Sequence, residues 1–135
     1  MEANLITFRV AGIPAPQGSK RPVRLGNGRV GMVESSRAVG PWRDAVRTET
    51  QQHMTGRDPL QGAVSVSLLF WLARPSSAPR ARTHPVTRPD LDKLVRSTLD
   101  GLRAGGAFED DSQVVELACR KEYGTPGCDI TVTRP

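Results

Sequence analysis

Aromatic residues and long apolar runs are both scarce in this sequence of 135 residues. Aromatics make up only 4% of the chain, so we expect a core built mainly from Val, Leu, Ile and Ala. No apolar run approaches the roughly 20 residues that a membrane-spanning helix needs. The start of the sequence also lacks the basic region and apolar stretch of a signal peptide. These absences argue against a membrane protein, and we expect a cytoplasmic location.

Cysteine is equally scarce, with Cys119 and Cys128 forming no metal-binding pattern such as CxxC. We predict that they lie on the two strands of a hairpin. The turn of that hairpin sets Cys119 opposite Val132 and Cys128 opposite Tyr123, so the cysteines do not face each other. We therefore expect two reduced core residues and no disulfide.

Charge is distributed unevenly along the chain. There are 19 Lys and Arg residues against 14 Asp and Glu, a net charge of +5, and a basic domain of this size favours a polyanionic partner. The acids cluster at 90–92, 100 and 109–111, whereas bases dominate 20–29 and 74–88. An acidic site inside a basic protein suits an enzyme that binds DNA and a metal ion together.

Hydrophobic periodicity and turn residues predict six elements in one domain spanning residues 1–135. The elements are a strand at Leu5–Val10, a helix from Pro41 to about His53, a strand at Ala63–Ala73, a helix from Asp90 or Leu91 to Gly105-Gly106, and a closing hairpin of strands Val114–Tyr123 and Cys128–Thr133. Two basic loops separate them, at 14–31, with a short hairpin around Gly26–Gly28, and at 74–89. The order β-α-β-α-β-β predicts an α+β fold with both helices packed on one face of a mixed sheet.

Two groups of carboxylates are the candidate site. Asp90 and Asp92 flank the start of the second predicted helix, where the positive partial charge of the helix N-terminus lowers the cost of placing two acids. Asp110 and Asp111 come just before the strand that starts at Val114. If that strand runs beside Ala63–Ala73, both groups can meet at one edge of the sheet.

Several carboxylate oxygens, waters and a substrate phosphate are the ligands that Mg²⁺ prefers. A Mg²⁺ ion held in this way polarises a phosphodiester and lowers the pKa of bound water. Lys93 and Arg96 lie within about two helical turns of Asp90 and can neutralise the developing charge. From spacing alone an alternative stays open, in which Asp90 is only an N-cap, Asp92 only a first-turn acid, and 110–111 only a turn.

Three segments in the second half of the chain form a specific combination: Arg88-Pro89-Asp90-Leu91-Asp92-Lys93-Leu94, Leu99-Asp100-Gly101-Leu102 and Phe108-Glu109-Asp110-Asp111-Ser112-Gln113-Val114-Val115. The acid-x-acid sequence that opens a helix and the later Asp-Asp-x-Gln-Val resemble the RusA family of Holliday junction resolvases, common in phages and prophages. Weaker support comes from Lys121 and from the first loop, Pro14-x-Pro16-Gln17-Gly18-Ser19-Lys20-Arg21-Pro22.

The resemblance implies a homodimeric, Mg²⁺-dependent endonuclease, with Mn²⁺ as a substitute, that resolves four-way junctions by paired nicks in DNA recombination and repair. The family's essential carboxylates correspond to Asp90, Asp92 and Asp111, with Asp110 as a helper. Two departures concern the cations, because the family usually has Asn at Lys93 and a functional Lys at Arg96. Arginine keeps the charge but cannot readily lose a proton.

The basic residues are then expected to contact phosphates, giving salt-dependent binding that follows DNA shape. The candidates are Lys20, Arg21, Arg24, Arg80, Arg82, Arg88 and Lys121. We expect action near the nucleoid of a bacterial host cell. Two other hypotheses stay open: a non-catalytic DNA-binding protein with the same fold, and a related nuclease that cuts RNA or other branched substrates.

Overall fold

The computed structural model describes residues 5–18, 20–34 and 37–135. The elements in chain order are β1 (Ile6–Ala11), β2 (Lys20–Arg24), β3 (Val30–Glu34), α1 (Val39–His53), β4 (Val64–Leu72), α2 (Leu91–Ala104), a 3₁₀ turn (Asp111–Gln113), β5 (Val114–Tyr123) and β6 (Gly127–Thr133). A four-stranded sheet has the order β1-β6-β4-β5, and β2 pairs with β3 in a separate hairpin. This is the predicted α+β domain with a mixed sheet.

The core lies between one face of the four-stranded sheet and the two helices. Every second residue of β1, β4 and β6 is buried on that face, which is the period-2 pattern of strands covered on one side. Trp42 and Val46 of α1 and Leu94 and Leu102 of α2 complete a single apolar cluster with these strands. The central position predicted for β4 is confirmed, although its outward residue Ser67 is exposed.

The helices approach each other closely because α2 carries glycine where they touch. A Cβ atom added at Gly101 would lie 2.7 Å from the Cβ of Val46, closer than two carbon atoms can pack. The indole Nε1–H of Trp42 donates a hydrogen bond of 3.1 Å to the hydroxyl of Thr98. Gly101, part of the Leu-Asp-Gly-Leu segment, therefore has a packing role in fixing α2 on the sheet.

The predicted closing hairpin is wrong. β5 and β6 are separated by β4, which pairs parallel with β5 and antiparallel with β6. Cys119 consequently lies opposite Leu68, and Cys128 lies between Phe70 and Val10. Both cysteines are free, as predicted.

The parallel pairing of β4 and β5 gives the sheet two distinct ends. At the carboxyl end, β4 leads into the loop 73–90, and the end of β1 at Ala11 lies beside the start of β6. At the amino end lie the start of β4 and the 3₁₀ turn that precedes β5. Helix α2 begins at the carboxyl end and returns to the amino end, so its 14 residues span about 20 Å between the two.

Element boundaries follow the sequence prediction closely. The second helix begins after Asp90 and ends before Gly105, as predicted, while the first helix begins at Val39 and places Pro41 inside its first turn. The short hairpin around Gly26–Gly28 is present as β2 and β3. Within the described ranges, none of the helices combines the length and apolar character required to span a bilayer.

Candidate active site

Asp90 and Asp92 present exposed carboxylates at the start of α2. Asp90 occupies the N-cap position with extended backbone, yet its side chain accepts no capping hydrogen bond, and both acids are exposed. The ammonium of Lys93 lies 3.7 Å from Oδ2 of Asp90. A side chain that only capped the helix would bind the backbone N–H groups of the first turn. The structure therefore favours a role for Asp90 other than capping.

The first loop reaches the start of α2 and forms a cleft beside Asp90. The backbone N–H of Gln17 donates a 3.0 Å hydrogen bond to the carbonyl of Lys93. The cleft is lined by Pro16, Gln17, Gly18, Arg88, Pro89, Asp90 and Lys93. The side-chain oxygen of Gln17 is buried there and has no hydrogen-bond partner in the described part of the chain. Both loops predicted from composition thus converge on Asp90.

Lys121 holds the second loop in place just before Asp90. Its ammonium donates hydrogen bonds of 3.0 Å to the carbonyl of Thr87 and 2.9 Å to the carbonyl of Pro89. The residue lies opposite buried Phe70 in the sheet, so its stem follows the helix side of β5. Because its donors point at the loop backbone, the geometry favours a positioning role over a phosphate contact.

A basic groove lies at the same end of the sheet. It is formed by Arg74, Arg80 and Arg82 with Tyr123, and the guanidinium of Arg74 lies 5.9 Å from the ring centre of Tyr123. Of the other predicted DNA contacts, Arg24 and Arg88 are exposed. Lys20 and Arg21 have side chains outside the described residues.

Arg96 lies on the same flank of α2 as Asp92. With about 100° per residue, positions 92, 96 and 103 point away from α1, and all three are exposed. The flank therefore carries one acid near the start of the helix, followed by Arg96 and Arg103. Lys93 lies 3.7 Å from Asp90 and Arg96 lies one helical turn after Asp92, and their action on the reacting phosphate stays a prediction.

A glutamine organises the second acidic group. The side-chain oxygen of Gln113 accepts hydrogen bonds from the backbone N–H groups of Glu109 (2.8 Å) and Asp110 (2.9 Å). Its amide nitrogen donates to the carbonyls of Leu60 and Gly62, both at 2.9 Å. The segment before β5 is thereby tied to the segment before β4. This is the physical reason for glutamine in the Asp-Asp-x-Gln-Val sequence.

The pKa values of Asp110 and Asp111 are shifted in opposite directions. Hydrogen bonds from the backbone N–H and the hydroxyl of Ser112 lower the pKa of Asp110. Burial raises the pKa of Asp111, the negative charge of Asp100 raises it further, and Arg103 partly offsets this. Oδ1 of Asp111 is buried and has no hydrogen-bond partner among the described residues. Asp110 is thus a capping residue, whereas Asp111 has an oxygen available for a ligand.

The two acidic groups do not meet in one chain, contrary to the sequence prediction. Asp90 and Asp92 lie at the carboxyl end of the sheet, while Asp111 lies at the amino end beside Asp100. The prediction required β4 and β5 to be antiparallel, and they are parallel. Within residues 5–18, 20–34 and 37–135, no three acidic, histidine or cysteine side chains are grouped closely enough to hold a metal ion.

The sequence analysis did not identify three of the residues that shape these sites. Gln113 and Gln17 were visible only as members of the two glutamine-containing segments, and Arg74 only as one of several basic loop residues. Spacing identifies carboxylates that suit a metal. It does not identify the side-chain amide of Gln113, whose bonds to Leu60 and Gly62 link residues 53 and 51 positions apart in the chain.

Two comparisons with known proteins bear on the site. A family model described as "Endodeoxyribonuclease RusA" matches residues 12–133, nearly the whole chain. The chain is also 30% identical over 128 residues to the uncharacterized protein YqaN of Bacillus subtilis (strain 168), covering 87% of each chain.

Proposed function

Because the chain belongs to the RusA family of endodeoxyribonucleases, we propose that it is a metal-dependent nuclease that resolves four-way DNA junctions by paired nicks. The observation that supports this most directly is the exposed carboxylate pair of Asp90, which lines the cleft where both loops converge, and Asp92 in the first turn of α2. We place its action in DNA recombination and repair, near the nucleoid of a bacterial host or its phage.

The carboxylate pair suits Mg²⁺, with Mn²⁺ as a substitute. Mg²⁺ in phosphate-processing sites is held by one or two carboxylates and completes its shell with waters and substrate phosphate. Asp90 and Asp92 are exposed and make no capping hydrogen bond, so both are free to serve as these ligands. When bound, the metal supplies a polarised phosphate and a water of lowered pKa.

The chain's own cations act on the DNA. Lys93, 3.7 Å from Asp90, and Arg96 on the neighbouring turn are close enough to counter negative charge on the phosphate that reacts. The groove of Arg74, Arg80 and Arg82 lies at the same end of the sheet and suits the phosphates that flank it. Because these contacts read the backbone, we expect recognition of DNA shape with a strong dependence on salt.

Asp111 enters this proposal through the homodimer. Paired nicks require two active sites, and a two-fold symmetric dimer provides them. In one chain Asp111 lies at the opposite end of α2 from Asp90 and Asp92. A metal centre that uses all three acids therefore takes Asp111 from a second copy of the chain.

Cleavage of a labelled synthetic four-way junction, with and without Mg²⁺, tests the proposal, with Asp92→Asn as the inactive variant. We expect symmetric nicks only with wild-type protein and metal, and junction binding by both proteins. Competition with duplex, flap and RNA substrates tests the preference for junctions. Binding without nicks in Mg²⁺ and Mn²⁺ would contradict the proposal and indicate a DNA-binding protein of the same fold.

A further inference from the structure

We propose that β5 is the surface through which two copies of this chain associate, pairing antiparallel with Ala118 on the two-fold axis. β5 has ten residues and lies at the edge of the four-stranded sheet. No strand in the described part of the chain pairs with its outer side. Val115 and Leu117 are 63% and 43% exposed on this strand, which is unusual for large apolar side chains at an open edge.

Charge complementarity favours a second copy as the partner. Glu116 and Arg120 lie two residues either side of Ala118, both exposed and both on the sheet face away from the helices. With Ala118 on the axis, Glu116 of each copy lies directly opposite Arg120 of the other. Symmetry therefore produces two cross-strand ion pairs from one strand sequence.

Neighbouring registers lack this match. Centring the pair on Cys119 sets Glu116 opposite Glu122, which places like charges together. Centring it on Leu117 sets Glu116 opposite Ala118, so that no opposite charge faces it across the strand pair. The register about Ala118 also places Leu117 opposite Cys119 on the helix side, where both lose exposed apolar surface.

The other edge of the sheet lacks these features. β1 has six residues, of which Arg9 alone is charged, so its self-pairing offers no opposite charge. Arg9 is held more closely than Arg120. Its guanidinium lies 3.1 Å from Oδ1 of Asp129 and donates to the carbonyl of Thr125, whereas Nε of Arg120 lies 3.9 Å from Oε1 of Glu122. The two edges thus provide a matched pair of test sites in one protein.

Pairing through β5 joins the two sheets into one of eight strands with all four helices on the same side. It also brings the start of each β5 beside the end of the other, because the two strands run antiparallel and Glu116 of one copy lies opposite Arg120 of the next. This proximity deepens the proposed function, in which Asp111 of one copy joins Asp90 and Asp92 of the other. The shared site rests on that function, whereas the pairing of the strands does not.

Cysteine cross-linking tests the register directly. Directly opposed residues in an antiparallel pair have Cα atoms about 4.5–5.5 Å apart, within the range of a disulfide. In a Cys119→Ala background, we expect Ala118→Cys to give a disulfide-linked dimer on mild oxidation, and Thr7→Cys on β1 to give none. A linked dimer from Thr7→Cys but not from Ala118→Cys, or a wild-type protein that is monomeric at micromolar concentration, would overturn the proposal.

Charge reversal tests the ion pairs without relying on cleavage. Glu116→Arg or Arg120→Glu alone replaces two attractive contacts with two repulsive ones, so the dimer dissociation constant should rise about tenfold. The double variant restores opposite charges and should recover wild-type association, measured by sedimentation. Equal association of all four proteins would refute the register. A correct dimer that cuts no DNA would instead count against the proposed function alone.

Discussion

At the start of α2, Asp90 and Asp92 are exposed and accept no capping hydrogen bond, whereas beyond its end Asp111 has a buried oxygen in a segment held by Gln113. The first group is supported by loops and by the ammonium of Lys121. The second is fixed by a hydrogen-bonded link to the residues before β4. One end of the helix therefore offers accessible ligands, and the other holds a carboxylate in place at a cost to its ionisation.

The largest expected effect comes from removing either group. Asp90→Asn and Asp111→Asn should each slow junction cleavage by at least about a hundredfold, because a bound metal contributes several kcal/mol to the transition state and each 1.36 kcal/mol is tenfold. Both substitutions leave packing intact, since Asp90 is exposed and Asp111 partly so. Cleavage assays beside thermal melting measure the two properties separately.

Mixing the two variants sharpens the comparison between the ends of the helix. A hybrid dimer of Asp90→Asn and Asp111→Asn copies is obtained by co-expression with two different tags. If each site is shared between copies, one site of this hybrid keeps both acidic groups and the other loses both. We expect the hybrid to nick one strand of the junction while each parent variant cuts neither. An inactive hybrid would show that both acidic groups act within one chain.

Gln113→Leu should loosen the Asp111 end without touching the Asp90 end. The substitution removes two donated and two accepted hydrogen bonds, and we expect a loss of about 1–3 kcal/mol in the free energy of unfolding and a fall in Tm of roughly 3–12 °C. Gln52→Leu on the exposed side of α1 is the control for the added apolar surface. Equal melting of the two variants would mean that the four hydrogen bonds contribute little.

Sequence reasoning predicted α2 accurately because its information is local. The apolar stripe, the acid before it and the glycines after it all lie within one segment, and Leu94 and Leu102 are fully buried as the period requires. The candidate carboxylates were likewise visible in short segments. The local pattern could not predict the end of the sheet at which each acidic group lies.

Strand order is the step that failed, and its cause is a contact distant in sequence. The turn at Gly124 was interpreted as the turn of a hairpin, but its N–H donates to the carbonyl of Leu72. A Cβ atom there would lie 2.5 Å from the ring of Trp71, so the turn passes over the end of β4. Whether two apolar strands pair with each other or with a third depends on such packing and not on their own alternation.

Lys121→Met is expected to act on the Asp90 end through position and not through charge on DNA. Loss of the hydrogen bonds to Thr87 and Pro89 should lower the cleavage rate several-fold, because small displacements of a ligand cost rate. The dependence of junction binding on salt should stay unchanged. Arg82→Ala, at a predicted phosphate contact, should instead reduce the salt slope by about 0.9. A reduced slope for Lys121→Met would reassign it to DNA binding.

The smallest expected effect is a difference between Asp110 and Asp111 in how their substitution changes Tm with pH. The pKa of Asp111 is raised in the folded protein. Its stabilising contribution is therefore present at pH values below its unfolded pKa and is lost as pH rises through its folded pKa. Asp111→Asn should therefore raise Tm at pH 7 and leave it unchanged at pH 3.

Asp110 affects stability in the opposite sense to Asp111. Hydrogen bonds from Ser112 lower its pKa in the folded protein, so its stabilising contribution is present above its unfolded pKa. Asp110→Asn should lower Tm at pH 7, and this loss should shrink as pH falls through the folded pKa. Melting curves of both variants across this range are the measurement. If both variants shifted Tm in the same direction at pH 7, ionisation of the Asp111 carboxylate would not destabilise the folded protein. Asp111 would then be as ready a ligand in the free chain as Asp90 and Asp92, and the contrast between the two ends of α2 would reduce to their positions.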